Sequence, residues 1–143
     1  MFRQLTDRVF ASPQIGLAEV AEAVASGIGL IINNRPEGES EDQVPGEDIA
    51  AAARAAGIGY VAIPVTHAGF SQPQITAMRA ALDGSEGKVL AYCRSGTRST
   101  LLWALAEASA GKSPDELAEQ AARAGYDLGP IRALLDMLAA GKN

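Results

Sequence analysis

The sequence has almost no cysteine or histidine, the residues that form disulfides and that hold most zinc ions. It contains one cysteine and one histidine among 143 residues. A single cysteine excludes an internal disulfide and a resolving thiol within the chain, so a redox cycle would need an external thiol. One cysteine and one histidine, without a spaced pair of carboxylates, do not make a metal site. The sequence therefore predicts that the protein uses no metal and no cofactor.

The sequence also lacks basic stripes and long apolar runs. Its formal net charge is −5, and no cluster of basic residues could replace the counterions of a nucleic-acid backbone. No run of about 18 apolar residues could cross a bilayer, and the N-terminus has no apolar segment like that of a signal peptide. We therefore expect a cytoplasmic protein that binds neither nucleic acid nor membrane.

The composition is otherwise typical of a globular domain, with 48% hydrophobic and 20% charged residues. Aromatic residues account for only 5% of the sequence. Alanine dominates the apolar residues, which indicates helices that pack closely. The length fits a single domain, which we expect to include residues 1–143.

Apolar patterns predict strands and helices in alternation. The predicted strands cover residues 9–11, 28–32, 60–65 and 89–92, and the predicted helices cover residues 17–25, 47–56, 71–82, 100–110, 113–124 and 130–140. The continuous apolar run at 28–32 is typical of a strand buried on both faces of a parallel sheet. The alternation predicts an α/β fold, in which helices flank a mostly parallel central sheet.

Three predicted strand ends carry the residues that could perform chemistry. Parallel strands place their carboxyl ends along one edge of a sheet, and ligands of such folds bind beyond that edge. We therefore expect the residues after the second, third and fourth strands to meet there. These segments are 33–35, 66–67 and 93–98.

The segment at residues 88–100 reads K-V-L-A-Y-C-R-S-G-T-R-S-T and predicts a buried strand, a tight loop and the start of a helix. Loop amides and a helix N-terminus attract anions. Cys93 lies at the start of this loop, close to Arg94 and Arg98, and positive neighbours stabilise a thiolate. A lone cysteine at a strand end is usually a small buried apolar residue. Here the combination of strand, glycine loop, arginines and helix start favours a thiolate nucleophile that faces a bound oxyanion.

This interpretation assigns a role to each neighbour of the cysteine. Arg98 would clamp two oxygens of the anion, and Ser99 would donate its hydroxyl to the sulfur. The residues predicted to bind the anion are Arg94, Ser95, Gly96, Thr97, Arg98 and Arg35. Gly96 either turns the backbone toward the ligand or leaves space for packing.

Two arginines and the histidine have alternative interpretations. Arg94 could point into the loop or out of it. Arg35 could meet the substrate anion or form a surface pair with Glu37 or Glu39. His67 is a candidate general acid, although a lone histidine is more often a structural donor. The acidic residues at 37–42 are the other candidates for this role.

The residues around the cysteine, C-R-S-G-T-R-S at 93–99 followed by L-W-A at 102–104, resemble a known family. The segments N-N-R-P-E-G-E at 33–39 and G-Y-D-L at 125–128 resemble it too. This family is the phosphatase-like domain of bacterial beta-lactamase-hydrolase-like proteins, and the resemblance covers nearly the whole chain. It implies the fold of the dual-specificity protein tyrosine phosphatases. The family is linked with sulfide and persulfide metabolism, and its members are called both phosphatases and sulfurtransferases.

The chain departs from a standard tyrosine phosphatase in two ways. Only four residues separate Cys93 from Arg98, one fewer than in those enzymes, and the shorter loop resembles that of the rhodanese sulfurtransferases. The dual-specificity enzymes usually place a general-acid aspartate soon after a segment like 63–65, whereas residues 66–68 here are T-H-A. Loss of a general acid slows ester hydrolysis by roughly 10²–10⁴-fold. Sulfur transfer does not need one.

The sequence thus leaves three functions open. Cys93 hydrolyses phosphate monoesters through a phosphocysteine, or it carries sulfane sulfur as a persulfide, or the loop only binds phosphate. The expected partners are a small molecule or a phosphoprotein with an anionic group, and an external thiol if sulfur is transferred.

Overall fold

The computed structural model describes residues 1–141, in which strands and helices alternate. The strands are β1 (Arg3–Gln4), β2 (Val9–Ser12), β3 (Ile28–Asn33), β4 (Gly59–Ala62) and β5 (Lys88–Tyr92). The helices are α1 (Leu17–Ala25), α2 (Gly46–Ala55), α3 (Gln72–Gly84), α4 (Thr97–Ser109), α5 (Pro114–Arg123) and α6 (Arg132–Ala140). A 3₁₀ turn at Gly129–Ile131 leads into α6.

The five strands form one sheet in the order β1-β2-β5-β3-β4. Strands β2, β5, β3 and β4 are parallel to one another, and β1 is antiparallel to β2. The last residues of the three central strands are in register, because Tyr92 pairs with Ser12 on one side and with Asn33 on the other. The chain that leaves β5 therefore emerges between the ends of two neighbouring strands.

Helices cover both faces of this sheet. Helices α1 and α2 pack on the face that carries Ile31 and Leu90, and α3, α4 and α6 pack on the face that carries Ile32 and Ala91. Consecutive strand residues point to opposite faces, so both faces must be apolar where both are covered. The predicted α/β fold with a mostly parallel central sheet is confirmed.

Two helices follow their sequence signals closely. Helix α1 spans the predicted residues 17–25. Helix α5 begins at Pro114, where Ser113 caps it by accepting the backbone N–H of Glu116 at 3.4 Å. The serine hydroxyl accepts one of the free N–H groups of the first turn. Proline suits the first helical position because its missing N–H would have no partner there.

Other boundaries differ from the predictions. Helix α4 begins at Thr97, before the predicted start at 99 or 100, because Gly96 adopts a φ of 91° and turns the chain directly into the helix. Strand β4 ends at Ala62 rather than 65, since Pro64 has no N–H for the ladder. Strand β1 was not predicted, because two exposed residues carry no periodic pattern.

Among the described residues, no helix is both long and apolar enough to cross a membrane. The cytoplasmic location stays a prediction. Lys142 and Asn143 lie outside the described residues, and the assignment of residues 1–143 to one domain also stays a prediction.

The buried α4 generates a stability prediction. Leu105 has no exposed surface in α4, so Leu105→Ala should lower the free energy of unfolding by about 2–5 kcal/mol through lost burial and a new cavity. The matched control is Leu17→Ala in α1, where the leucine is 59% exposed and a change of less than about 0.5 kcal/mol is expected. Urea denaturation followed by circular dichroism measures both. Equal effects of the two substitutions would contradict the placement of α4 in the core.

Candidate active site

The cysteine lies at the centre of the edge where the parallel strands end. The N–H of Cys93 donates to the Ser12 carbonyl at 3.3 Å, and the N–H of Asn34 donates to the Tyr92 carbonyl at 2.8 Å. These bonds continue the ladders of β2, β5 and β3 by one residue past their ends. As expected from the topology, the segments that follow β3 and β5 lie side by side.

The loop after β5 directs a backbone donor at the sulfur. The N–H of Gly96 donates to Cys93 Sγ at 3.1 Å. This geometry needs the φ of 91° at Gly96, a conformation that residues with a Cβ rarely adopt. A Cβ at this position would also collide with the hydroxyl of Tyr126. Both interpretations of this glycine, a backbone turn and close packing, therefore apply.

Further amides of the loop are available to a ligand. Within the described residues, the N–H groups of Arg94, Ser95 and Arg98 make no hydrogen bond to protein. They belong to the loop or to the first turn of α4, where the helix dipole adds positive potential. The side chains of Arg94 and Thr97 are exposed. The segment can therefore hold an anion with backbone donors alone.

The guanidinium of Arg98 is held on one edge and open on the other. Its Nη1 donates to Glu39 Oε2 at 2.6 Å and to the Val65 carbonyl at 2.8 Å, and its Nη2 donates to Glu39 Oε1 at 2.8 Å. These three bonds leave Nε–H and the second hydrogen of Nη2, which lie on the same edge of the planar group. That edge can bind two oxygens of one anion.

Arg35 shares the carboxylate of Glu39 but has a different environment. Its Nε donates to Glu39 Oε1 at 2.9 Å, and its other nitrogens donate to Gln14 Oε1 at 2.9 Å and Ser40 Oγ at 3.1 Å. The residue is only 5% exposed. Arg35 therefore pairs with Glu39, as one of the two interpretations proposed. That interpretation placed the pair on the surface, which is wrong because Arg35 is buried.

The two arginines change the proton affinity of the carboxylate between them. The hydrogen bonds from Arg98 and Arg35 lower the pKa of Glu39 from 4.5 to about 2, although burial opposes the shift. The same contact raises the pKa of Arg98, and the neighbouring Cys93 contributes to that shift. Glu39 is therefore ionised in this arrangement and holds no proton to donate to a substrate.

Within the described residues, the side chains of two predicted site residues make no hydrogen bond to the sulfur or to the arginines. The Ser99 hydroxyl is buried and has no hydrogen-bond partner among the described residues, so its predicted bond to the sulfur is not formed here. His67 is exposed in the turn after Val65, and its side chain makes no hydrogen bond in the described part of the chain. The other residues predicted around the anion lie in the cysteine loop or, as with Arg35, beside Arg98.

Access to the sulfur requires movement. Cys93 has no exposed surface, and the side chain of Arg98 is only 18% exposed. A ligand can reach the sulfur only after neighbouring groups shift. The segment that carries Glu39 is the long loop between β3 and α2, and side-chain contacts such as the bond from the Glu39 N–H to Gln43 Oε1 at 2.9 Å hold it in place.

Sequence reasoning missed three residues that organise the site. Glu39 was considered as a partner of Arg35 or as an acid, but not as a carboxylate shared with Arg98. Gln14, which binds Arg35, follows β2 and lies beside the cysteine loop, where its N–H donates to the Arg94 carbonyl at 3.2 Å. Tyr126 was noted only as part of a familiar segment. Of these three residues, Gln14 could have been found from its position, because it follows the first predicted strand and so lies at the same edge of the sheet as the cysteine loop.

The sequence matches the family model described as "Beta-lactamase hydrolase-like protein, phosphatase-like domain" over residues 1–110. It is 38% identical over 127 residues to the beta-lactamase hydrolase-like protein of Xylella fastidiosa strain Temecula1. That alignment covers 87% of this chain but 29% of the relative. The chain thus spans less than a third of the length of this curated relative.

Solved structures show the same architecture. A candidate phosphatase from Neisseria meningitidis is 34% identical, with a TM-score of 0.83 over 95% of this chain and 96% of that one. The active form of Tk-PTP is 17% identical, with a TM-score of 0.75 over 97% of this chain and 96% of that one, and this likeness concerns the fold alone. The fold of the protein tyrosine phosphatases, implied by the resemblance, is confirmed.

The shared carboxylate generates a prediction about pH. Because the folded pKa of Glu39 is about 2 and its ordinary value is 4.5, the unfolded chain binds the proton more tightly than the folded chain. The stabilising contribution is therefore complete above about pH 4.5 and is lost as the pH falls toward 2. Glu39→Gln should lower the free energy of unfolding at neutral pH by on the order of 3 kcal/mol, and by much less near pH 2.

Denaturant titrations at several pH values measure this difference. The control is Glu41→Gln, which makes the same change of charge in the same loop. Glu41 is exposed and its side chain makes no hydrogen bond in the described part of the chain, so its substitution should have little effect at any pH. A loss of stability in Glu39→Gln that does not change with pH would contradict the ion pair.

Proposed function

The chain belongs to the family of the phosphatase-like domain of beta-lactamase hydrolase-like proteins, and from this premise we propose that it hydrolyses phosphate monoesters through a phosphocysteine on Cys93. The observation that carries the proposal is the pair of donors around the sulfur. Gly96 donates its N–H to Sγ, and Arg98 is fixed with one bidentate edge free.

In the first step the Cys93 thiolate attacks the phosphorus of the ester. The S–P bond forms while the bond from phosphorus to the leaving oxygen breaks, and that oxygen takes up a proton. The Nε and Nη2 donors of Arg98 and the free amides of the loop bind the non-bridging oxygens, whose charge they stabilise as it redistributes. Arg98 is held by Glu39 and Val65, so its guanidinium needs little further reorientation once the groups that cover the sulfur have moved.

In the second step water attacks the phosphorus, the S–P bond breaks, and phosphate and the thiolate are released. A hydrogen-bond donor near the sulfur makes the thiolate a better leaving group. Ser99 is proposed for this role, because its buried hydroxyl has no other partner among the described residues. Arg94, Ser95, Gly96 and Thr97 supply the anion-binding loop, and Arg35 holds the carboxylate that orients Arg98.

The site offers no obvious acid for the leaving oxygen in this conformation. Glu39 is ionised because its pKa is lowered to about 2, and the turn after Val65 contains no carboxylate. His67 is the one residue of that turn with a titratable side chain. We therefore propose His67 as the general acid, which it could become only if the turn moves toward the sulfur. Substrates with good leaving groups depend least on this proton.

The lack of a positioned general acid favours sulfur transfer as a second candidate function. The Cys93 thiolate would attack the outer sulfur of thiosulfate, forming a persulfide and releasing sulfite with the electrons of the broken S–S bond. An external thiol or cyanide would then accept the sulfur and restore the thiolate. No leaving oxygen needs a proton in these steps, so a site without a positioned acid suits them.

The covalent adduct distinguishes the two functions. Incubation with an aryl phosphate should add one phosphoryl group to the protein, and Cys93→Ser should abolish both the adduct and turnover, with a loss of at least about 10³-fold. Intact-mass spectrometry after rapid acid quench measures the adduct, and release of the aryl alcohol measures turnover. Since the chain contains one cysteine, a thiol adduct can form at one position only.

Other masses would contradict the phosphatase proposal. Addition of one sulfur atom after thiosulfate, discharged by cyanide, together with no phosphoryl adduct, would establish the second function instead. If neither adduct forms and phosphate still raises the melting temperature, the protein is a phosphate-binding module.

The role of His67 is tested with substrates that differ in their leaving groups. His67→Ala should slow hydrolysis of an alkyl phosphate by roughly 10²-fold or more, and of an aryl phosphate far less, because a poor leaving oxygen depends more on protonation. Values of kcat/KM for the two substrates measure the difference, because they report the step in which the leaving oxygen departs. Equal losses with both substrates would remove His67 from the mechanism.

A further inference from the structure

The segment G-Y-D-L at 125–128 lies outside the residues that the family model matches, and the proposed mechanism does not use it. The structure places Tyr126 of this segment directly behind the cysteine loop. Its hydroxyl donates to the Ser95 carbonyl at 3.2 Å. The side chain comes from the connection that follows α5.

The contact acts on one particular peptide group. The carbonyl of Ser95 and the N–H of Gly96 belong to the same planar unit, so their directions are fixed relative to each other. Tyr126 binds the oxygen of this unit, and Cys93 Sγ accepts its N–H at 3.1 Å. A trans peptide directs these two groups to opposite sides. The tyrosine hydroxyl and the sulfur thus hold the two ends of one peptide.

This peptide is free to rotate without such an anchor. Gly96 adopts positive and negative φ with similar ease, so the unit before it can turn over at low cost. Rotation would remove the N–H from the sulfur and bring the partial negative charge of the Ser95 carbonyl toward it. Such an orientation disfavours both a thiolate and a bound anion, since both carry negative charge.

Tyr126 is itself held firmly. The residue is only 8% exposed, its N–H donates to the Ala121 carbonyl at 2.9 Å, and the guanidinium of Arg3 lies 5.2 Å from its ring centroid. Arg3 Nη1 also donates to the Ala124 carbonyl at 3.2 Å. Burial raises the pKa of Tyr126, so the hydroxyl keeps the proton that it donates.

We propose that Tyr126 is a positioning residue that fixes the Ser95–Gly96 peptide with its N–H toward the sulfur of Cys93. The proposal deepens the proposed function, because it assigns the group that keeps the thiolate and the anion-binding loop aligned. Tyr126 does not touch the substrate. Its effect passes through a single backbone unit.

The test compares Tyr126→Phe with Tyr60→Phe. Each substitution removes one hydroxyl and keeps the ring. The Tyr60 hydroxyl accepts from Asn33 Nδ2 at 3.0 Å and makes no hydrogen bond to the cysteine loop. Three quantities are measured below the unfolding transition of every variant: the rate of alkylation by iodoacetamide, the ultraviolet absorbance that a thiolate has and a thiol lacks, and protection from alkylation by inorganic phosphate.

Tyr126→Phe should slow alkylation by about two- to tenfold, the range expected for loss of one hydrogen bond. It should also lower the thiolate absorbance and weaken phosphate protection by a similar factor. Tyr60→Phe should match the wild type in all three measurements. Thermal unfolding of each variant shows whether the folded state is retained.

Unchanged alkylation, absorbance and phosphate protection in Tyr126→Phe would overturn the proposal, even if the melting temperature falls, because the tyrosine would then only pack. Equal changes in both variants would overturn it as well. None of these measurements requires turnover. A wild-type protein that fails to hydrolyse phosphate esters would contradict the proposed function and would leave this comparison valid.

Discussion

The geometry of the site depends on the carboxylate of Glu39, which lies between two arginines from distant parts of the chain. Arg35 follows β3, Arg98 lies in the first turn of α4, and both donate to the same carboxylate. The two guanidinium groups are largely removed from water and would repel each other without the Glu39 carboxylate between them. Glu39 therefore stabilises the folded loop and at the same time fixes the orientation of the Arg98 guanidinium.

The backbone contributes the second constraint. A parallel sheet brings the ends of β2, β5 and β3 together, and the central position of β5 leaves the cysteine loop supported on both sides. Within that loop the φ of 91° at Gly96 is needed to direct an N–H at the sulfur. The orientation of this peptide determines whether the Gly96 N–H reaches the sulfur. The site thus combines a charge cluster around Glu39 with a backbone N–H that is directed at the sulfur.

Local patterns predicted most of the fold but not the contacts that orient the site. Helix α1 and the strand at 28–32 were found because periodicity and continuous apolar runs are local properties. The start of α4 was wrong because a glycine in a left-handed conformation can begin a helix without a side-chain cap. The bonds of Arg98 to Glu39 and of Tyr126 to Ser95 join residues 59 and 31 positions apart. No local pattern encodes such pairs, so the sequence predicted residues that could bind an anion but not the contacts that hold them in place.

The same arrangement explains why both phosphate hydrolysis and sulfur transfer were proposed for this loop. The loop combines backbone N–H groups without a protein partner, the N-terminus of α4 and an arginine with an open edge. Proton donation is not built into the conformation seen here, because the nearest carboxylate is bound to two arginines and the histidine lies in an exposed turn. In the proposed reactions, donors of this kind stabilise the charge on the bound anion while the thiolate attacks its phosphorus or outer sulfur atom. The leaving group then decides the rate, which favours substrates whose leaving atom is stable without a proton.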